Sequence, residues 1–168
     1  GGEVAPTMSY AELEKASEKV AGLKQTTGFK SNSQGLYIES RQIKAMLKES
    51  TNVLYAGERV GKTKKGPRSY VAERVFVNPD HILLGKDAPD GIELMIGHVS
   101  GPGGPRSTLG YHEFIERPSI SFEVMVVQDS VPQEWWPDLW LHCQENGLGA
   151  LRSQGHGRFD IEGWDSIT

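Results

Sequence analysis

Gly147-Leu148-Gly149-Ala150-Leu151-Arg152-Ser153-Gln154-Gly155-His156-Gly157-Arg158-Phe159-Asp160-Ile161 sets four glycines, two arginines and a histidine between a helix-like run and a strand-like run. Glycine opens backbone conformations with φ > 0 and lets a second surface come close. Backbone amides and basic side chains in such a turn can converge on an anion such as a phosphate. Asn146-Gly147 is equally an ordinary helix C-terminus, and a Gly-x-Gly ahead of a strand is often only a bulge. The placement matters most: a last helix precedes the turn, and a last strand, Arg158 to Trp164, follows it with Phe159 and Ile161 alternating against Arg158, Asp160 and Glu162.

Working back from the turn, Val131 to Cys143 opens a short helix in which Pro137 is tolerated only in the first turn. Trp136, Leu139, Trp140 and Cys143 share one face. Rings of that size bury much apolar area, so packing on a sheet is expected rather than stacking on bases. Earlier still the signal is strand-like, over Tyr70 to Val77, His81 to Leu84, Ile92 to Val99, Tyr111 to Glu116 and Ser119 to Val127. Ile92, Leu94 and Ile96 fall on one face, as do Ile120, Phe122, Val124 and Val126, the period of two that marks half-buried strands. Ser100-Gly101-Pro102-Gly103-Gly104-Pro105-Arg106-Ser107 is rich in turn formers and predicts a long hairpin tip.

Two basic segments lie further upstream. Ser40 to Glu49 reads as a helix, with Ile43, Met46 and Leu47 on one face and Arg41, Lys44 and Lys48 at spacings of three and four on another. Leu54 to Ser69 is a glycine-bounded loop carrying Lys62, Lys64, Lys65 and Arg68. It is no phosphate-binding P-loop, because the glycine spacing ahead of Gly61-Lys62-Thr63 is wrong. Each segment is either an ordinary solvated surface or a contact for a polyanion. Thr26 to Gly35 reads as a loop, and the capping box Ser9-Tyr10-Ala11-Glu12 begins an amphipathic helix over Tyr10 to Lys24.

The 168 residues suit one continuous core, and 37% hydrophobic with 24% charged residues is ordinary for a globular chain. A net charge of −4 excludes a uniformly basic nucleic-acid binder and leaves room for a local basic face. The single cysteine, Cys143, forms neither an internal disulfide nor a zinc framework, so a reducing, cytoplasmic compartment is expected. No apolar run reaches membrane-spanning length, and no membrane partner is expected.

The order helix, strands, helix, glycine turn, strand is that of an α+β sandwich, with helices on one face of an antiparallel sheet. A ferredoxin-like (RRM-like) βαββαβ unit over residues 36–168 fits it best, with 1–35 as an N-terminal helical extension. Its first strand should precede residue 40. Gly1 to Gly35 offers no clear apolar alternation, so that strand is expected upstream of Gly1.

The glycine stretch resembles the loop of the RAMP superfamily, ferredoxin-like proteins that form the guide-RNA-binding backbone of CRISPR effector complexes and include RNA-processing endonucleases. That loop reads roughly Gly-x-Gly, Arg-Ser, Gly-aromatic-Gly-Arg, matched here by Gly149, Arg152-Ser153 and Gly155-His156-Gly157-Arg158. Ser40-Arg41-Gln42-Ile43-Lys44-Ala45 is similar to the family's Ser-x-x-Lys-Gly helix element, with Ala45 in place of the glycine. The likeness covers about residues 37–50 and 119–164. It implies a phosphate-backbone contact by Arg41, Lys44 and Lys48 on the helix and by Gly149, Arg152, Ser153, Gly155, His156, Gly157 and Arg158 at the loop. The basic loop residues Lys62, Lys64, Lys65 and Arg68 join that candidate surface.

The partner so implied is single-stranded nucleic acid, RNA ahead of DNA, with a homo-oligomer or effector-complex subunits beside it and no cofactor. Lysine, arginine and turn amides position a strand without reading its bases. The RNA-recognition signature with sheet-surface aromatics is not written in the chain. None of His81, His98, His112, His142 and His156 stands in a recognisable catalytic constellation, and no zinc spacing or nucleophile elbow occurs. A binding protein is therefore expected. A protein-interaction or viral structural subunit is the alternative, and a metal-independent RNA endonuclease using His156 comes third.

Overall fold

The computed structural model of the protein describes residues 7–9, 11, 26–60, 64–127 and 131–167. The helix expected over Tyr10 to Lys24 lies outside the described residues apart from the helical Ala11, and Lys62 lies outside them too. In chain order the elements are β1 (Thr7–Met8), β2 (Thr26–Thr27), β3 (Lys30–Asn32), β4 (Gly35–Glu39), α1 (Ser40–Tyr55), α2 (Pro67–Arg74), β5 (Val75–Asn78), β6 (His81–Leu83), β7 (Gly91–Gly101), β8 (Gly104–Phe114), β9 (Glu123–Val126) and α3 (Trp136–Asn146). Short 3-10 turns cover Gln133–Trp135 and Arg152–Gln154. The fold is mixed α+β, with small, mainly antiparallel sheets. The chain divides into two compact units, residues 1–38 with 83–121 and residues 39–82 with 122–168.

The first unit is built on the β7–β8 hairpin, paired in register from Gly91↔Phe114 to Gly101↔Gly104. The tip is thus two residues, Pro102 and Gly103, and not the long loop that the turn formers suggested. Gly104, at φ 90°, closes the turn in a region where a side chain would be strained, so pairing continues through the glycines. β1 adds antiparallel to β7 and β2 adds parallel to β8. β3 and β4 form a second hairpin, and Leu36 both donates to Lys86 O and accepts from Leu84 N. The segment Thr26 to Gly35, expected as loop, therefore carries two short strands.

The second unit holds the helices. Burial of Ile43, Met46 and Leu47 on α1 follows the expected apolar face, and Gln42 Oε1 accepts from Glu39 N at 2.9 Å to satisfy the helix start. α1 runs past the expected end to Tyr55. The expected strand over Tyr70 to Val77 is corrected: α2 takes Pro67–Arg74 and leaves only Val75–Asn78 as β5. Pro67 at the first helical position starts that helix where its missing N–H costs nothing, and this outweighs the strand preference of Tyr70 and Val71. β5 pairs antiparallel with β9 from Val75↔Val126 to Asn78↔Glu123. The strand expected over Ser119 to Val127 shrinks to β9, because Pro79 follows Asn78 and brings no N–H to lengthen the ladder.

α3 buries Trp136, Leu139, Trp140 and Cys143 as its spacing required, but the packing partner is α1, where Cys143 Sγ lies 3.2 Å from Ser50 Oγ. Trp164 joins Trp136 and Trp140 with ring centroids 5.5 and 5.0 Å away, and Phe122 reaches Trp140 from the segment before β9. Residues 158–164 form no strand, which corrects the expected last strand. Ile161 N donates to Gln144 Oε1 at 2.7 Å, and Trp164 lies against the rings of α3, so the segment is committed to the helix through side chains. A strand does directly precede α1 in the chain, namely β4.

Candidate nucleic-acid interface

The glycine turn is a self-contained knot. Gly147 ends α3 at φ 84°, its N–H donating to Cys143 O at 2.9 Å. Leu148 N donates to Gly157 O at 2.9 Å, and a methyl group on Gly157 would strike the Leu148 carbonyl. Gln154 N goes to Leu151 O and Gly155 N to Arg152 O, closing the 3-10 turn. The amides at 148, 154 and 155 are thereby spent inside the turn. The side chains that the turn displays are Arg152 and His156, half-buried, and Ser153 and Arg158, exposed.

Arg152 is the residue that fixes this turn to α1. Its Nη1 donates to Glu49 Oε2 at 2.8 Å, while Asn146 Nδ2 reaches the other oxygen at 3.5 Å. The Arg152 hydrogen bond holds the Glu49 carboxyl below its ordinary range, helped by the positive charge of the same guanidinium and opposed by partial burial. Beneath it, Ser50 Oγ is fully buried between Cys143 Sγ and His142 Nδ1, the latter at 2.9 Å. Burial pushes the Cys143 thiol up, so it remains a protonated partner to Ser50. Ser50 is buried and His142 is half-buried, and their bond ties α3 to α1.

Glu49 also lines a shallow open groove with Ala45, Lys48, Asn52 and Val53 of α1 and Arg68 of α2. The structure thus gathers Lys48, Arg68 and, through Glu49, Arg152 at one place. Other candidates stand elsewhere or are already engaged. Arg41 bonds Glu39 at 2.6 Å beside the start of α1, Lys65 bonds Glu73 at 2.7 Å, and Lys64 is exposed at φ 49°. Lys44 holds its ammonium 4.9 Å from the centroid of the Phe76 ring. Gly149 and Gly155, at φ 94° and 89°, have open space where a Cβ would stand and serve the turn's conformation.

Glu49 and Phe76 were missed in the sequence. Glu49 follows Lys48 directly and reads as one more helix charge. Phe76 has a weak signal: between Val75 and Val77 it is the strand position that must face outward. Among the described residues no group of three His, Cys, Asp or Glu side chains is placed to hold a metal ion, and no helix is long and apolar enough to cross a membrane. Comparison with family models, curated proteins and solved structures finds no match for the chain.

Proposed function

We propose that the chain is a non-catalytic, cytoplasmic nucleic-acid-binding protein of the RAMP type, on a ferredoxin-like plan, that grips the phosphate backbone of a single strand, RNA ahead of DNA. The antiparallel β5–β9 pair, with α1 and α2 before it in the chain and α3 after it, supports the α+β part of that plan. The observation that carries the reading is the Arg152–Glu49 bond, which brings the glycine turn to the groove bearing Lys48 and Arg68. One nitrogen of the guanidinium is engaged there, and its remaining donors can reach a phosphate oxygen while the pair holds the side chain in place. Arg158 adds an exposed cation on the same turn.

The double variant Arg152→Ala/Arg158→Ala is expected to lose binding to single-stranded RNA or DNA while its melting temperature stays close to wild type. Unchanged binding would sink the proposal. The nucleic-acid content of the purified protein, by absorbance ratio and nuclease digestion, is a second check.

A protein-interaction or structural-subunit role is the second reading, favoured by one feature of the first unit. Ile96 and Leu109 sit directly opposite each other on β7 and β8 and are 56% and 69% exposed. Such a pair on a hairpin arm suits a neighbouring protein surface. Copurification free of nucleic acid, with no salt-dependent oligonucleotide binding, would favour it.

A further inference from the structure

The two-stranded β5–β9 sheet has one face turned inward and one face open. Val75 and Val77 are buried, whereas Phe76 is 42% exposed and its cross-strand partner Met125 is 52% exposed. A phenylalanine directly opposite a methionine makes a flat, polarisable apolar platform. Lys44 of α1 stands over the Phe76 ring at 4.9 Å, and Lys48 follows one turn further along the same helix. A part-exposed aromatic ring with an ammonium beside it suits a ligand with a flat ring and a negative charge in one unit, which a nucleotide supplies. On the same sheet face, Asn78 stands opposite the exposed Glu123, whose charge repels phosphate from that end and favours the side of Lys44.

We propose that Phe76, backed by Met125, stacks a base of the bound strand while the Lys44 ammonium moves off the ring to meet the adjacent phosphate. This deepens the nucleic-acid reading and rests on it, since a stacking residue alone is useful only to a chain that already holds a strand. A duplex does not fit, because its bases are already stacked on one another. An apolar peptide would leave the ammonium beside the ring without a counter-charge.

The test compares a single strand of about ten nucleotides with an abasic strand of the same length and charge, titrated against wild type, Phe76→Ala, Phe76→Leu and Phe76→Trp. Phe76→Ala and Phe76→Leu should weaken binding of the base-bearing strand about tenfold, leave the abasic strand unchanged, and keep the salt dependence of wild type. Phe76→Trp should restore binding. Phe76→Leu keeps apolar bulk without a π face, so its loss cannot be ascribed to a collapsed sheet. Equal affinity of all four proteins for the base-bearing strand, or equal weakening for both strands, overturns the stacking proposal while leaving phosphate contact standing. Failure of wild type to bind either strand overturns both.

Discussion

Arg152 and Glu49, 103 residues apart in the chain, are joined at 2.8 Å between a 3-10 turn and the second half of α1. The bond lowers the affinity of Glu49 for its proton, so the pair contributes stability in full above the ordinary carboxylate value of 4.5, and the contribution is lost as the pH falls through the lowered folded value. Both side chains are partly exposed, which limits the effect to at most about 1 kcal/mol. Melting temperatures of wild type and Glu49→Gln are therefore expected to differ modestly at neutral pH and to converge in acid. A gap that widens as the pH falls contradicts this.

The turn itself discriminates between its glycines. Gly149 needs φ 94° but has open space around it, so Gly149→Ala should cost about 1–2 kcal/mol in urea denaturation, the strain of a left-handed residue. Gly157→Ala adds a collision with the Leu148 backbone and should cost about 3 kcal/mol in the same measurement. Equal costs would mean that the Leu148–Gly157 contact is not close.

α3 offers a contrast between two leucines two residues apart. Leu139 is fully buried and Leu141 is 54% exposed. Leu139→Ala is expected to destabilise by about 2–5 kcal/mol, and Leu141→Ala by no more than about 0.5 kcal/mol. Similar values for the two would contradict the orientation of the helix against α1.

Cys143 is shielded and its thiol is pushed up by burial, so a thiol reagent should label it slowly in the folded protein and quickly in denaturant. Ser50→Ala removes the hydroxyl shared by Cys143 and His142 and should cost about 1–2 kcal/mol. Rapid labelling of the native protein would show that α3 does not cover this site.

Which parts of this arrangement could be read from the chain follows from how local each signal is. The faces of α1 and α3 were legible because burial at spacings of three and four is written in Ile43, Met46 and Leu47 and in Trp136, Leu139, Trp140 and Cys143. The period of two was legible in Ile120, Phe122, Val124 and Val126, which are half-buried with exposed residues between them, but it misled in β7, where Ile92 and Met95 are buried and Ile96 is 56% exposed. Tyr70 and Val71 misled because Pro67 and Gly66 decide their helix from outside the apolar run. Residues 158–164 misled in the opposite sense: they alternate as a strand does, yet Gln144 and the α3 tryptophans claim them. The candidate site was half legible. Arg152, Lys48 and Arg68 carry charge that any reading notices, but their convergence depends on Glu49, whose role arises only when residues far apart in the chain meet.

The most direct test of phosphate contact is the affinity of the wild-type protein for a single-stranded oligonucleotide across a salt series, beside that of Arg158→Ala. The logarithm of the binding constant should fall linearly with the logarithm of salt concentration, and removing one contacting cation should make the slope shallower by about 0.7. Binding that is absent at low salt, or that is indifferent to salt and to Arg158, contradicts the account.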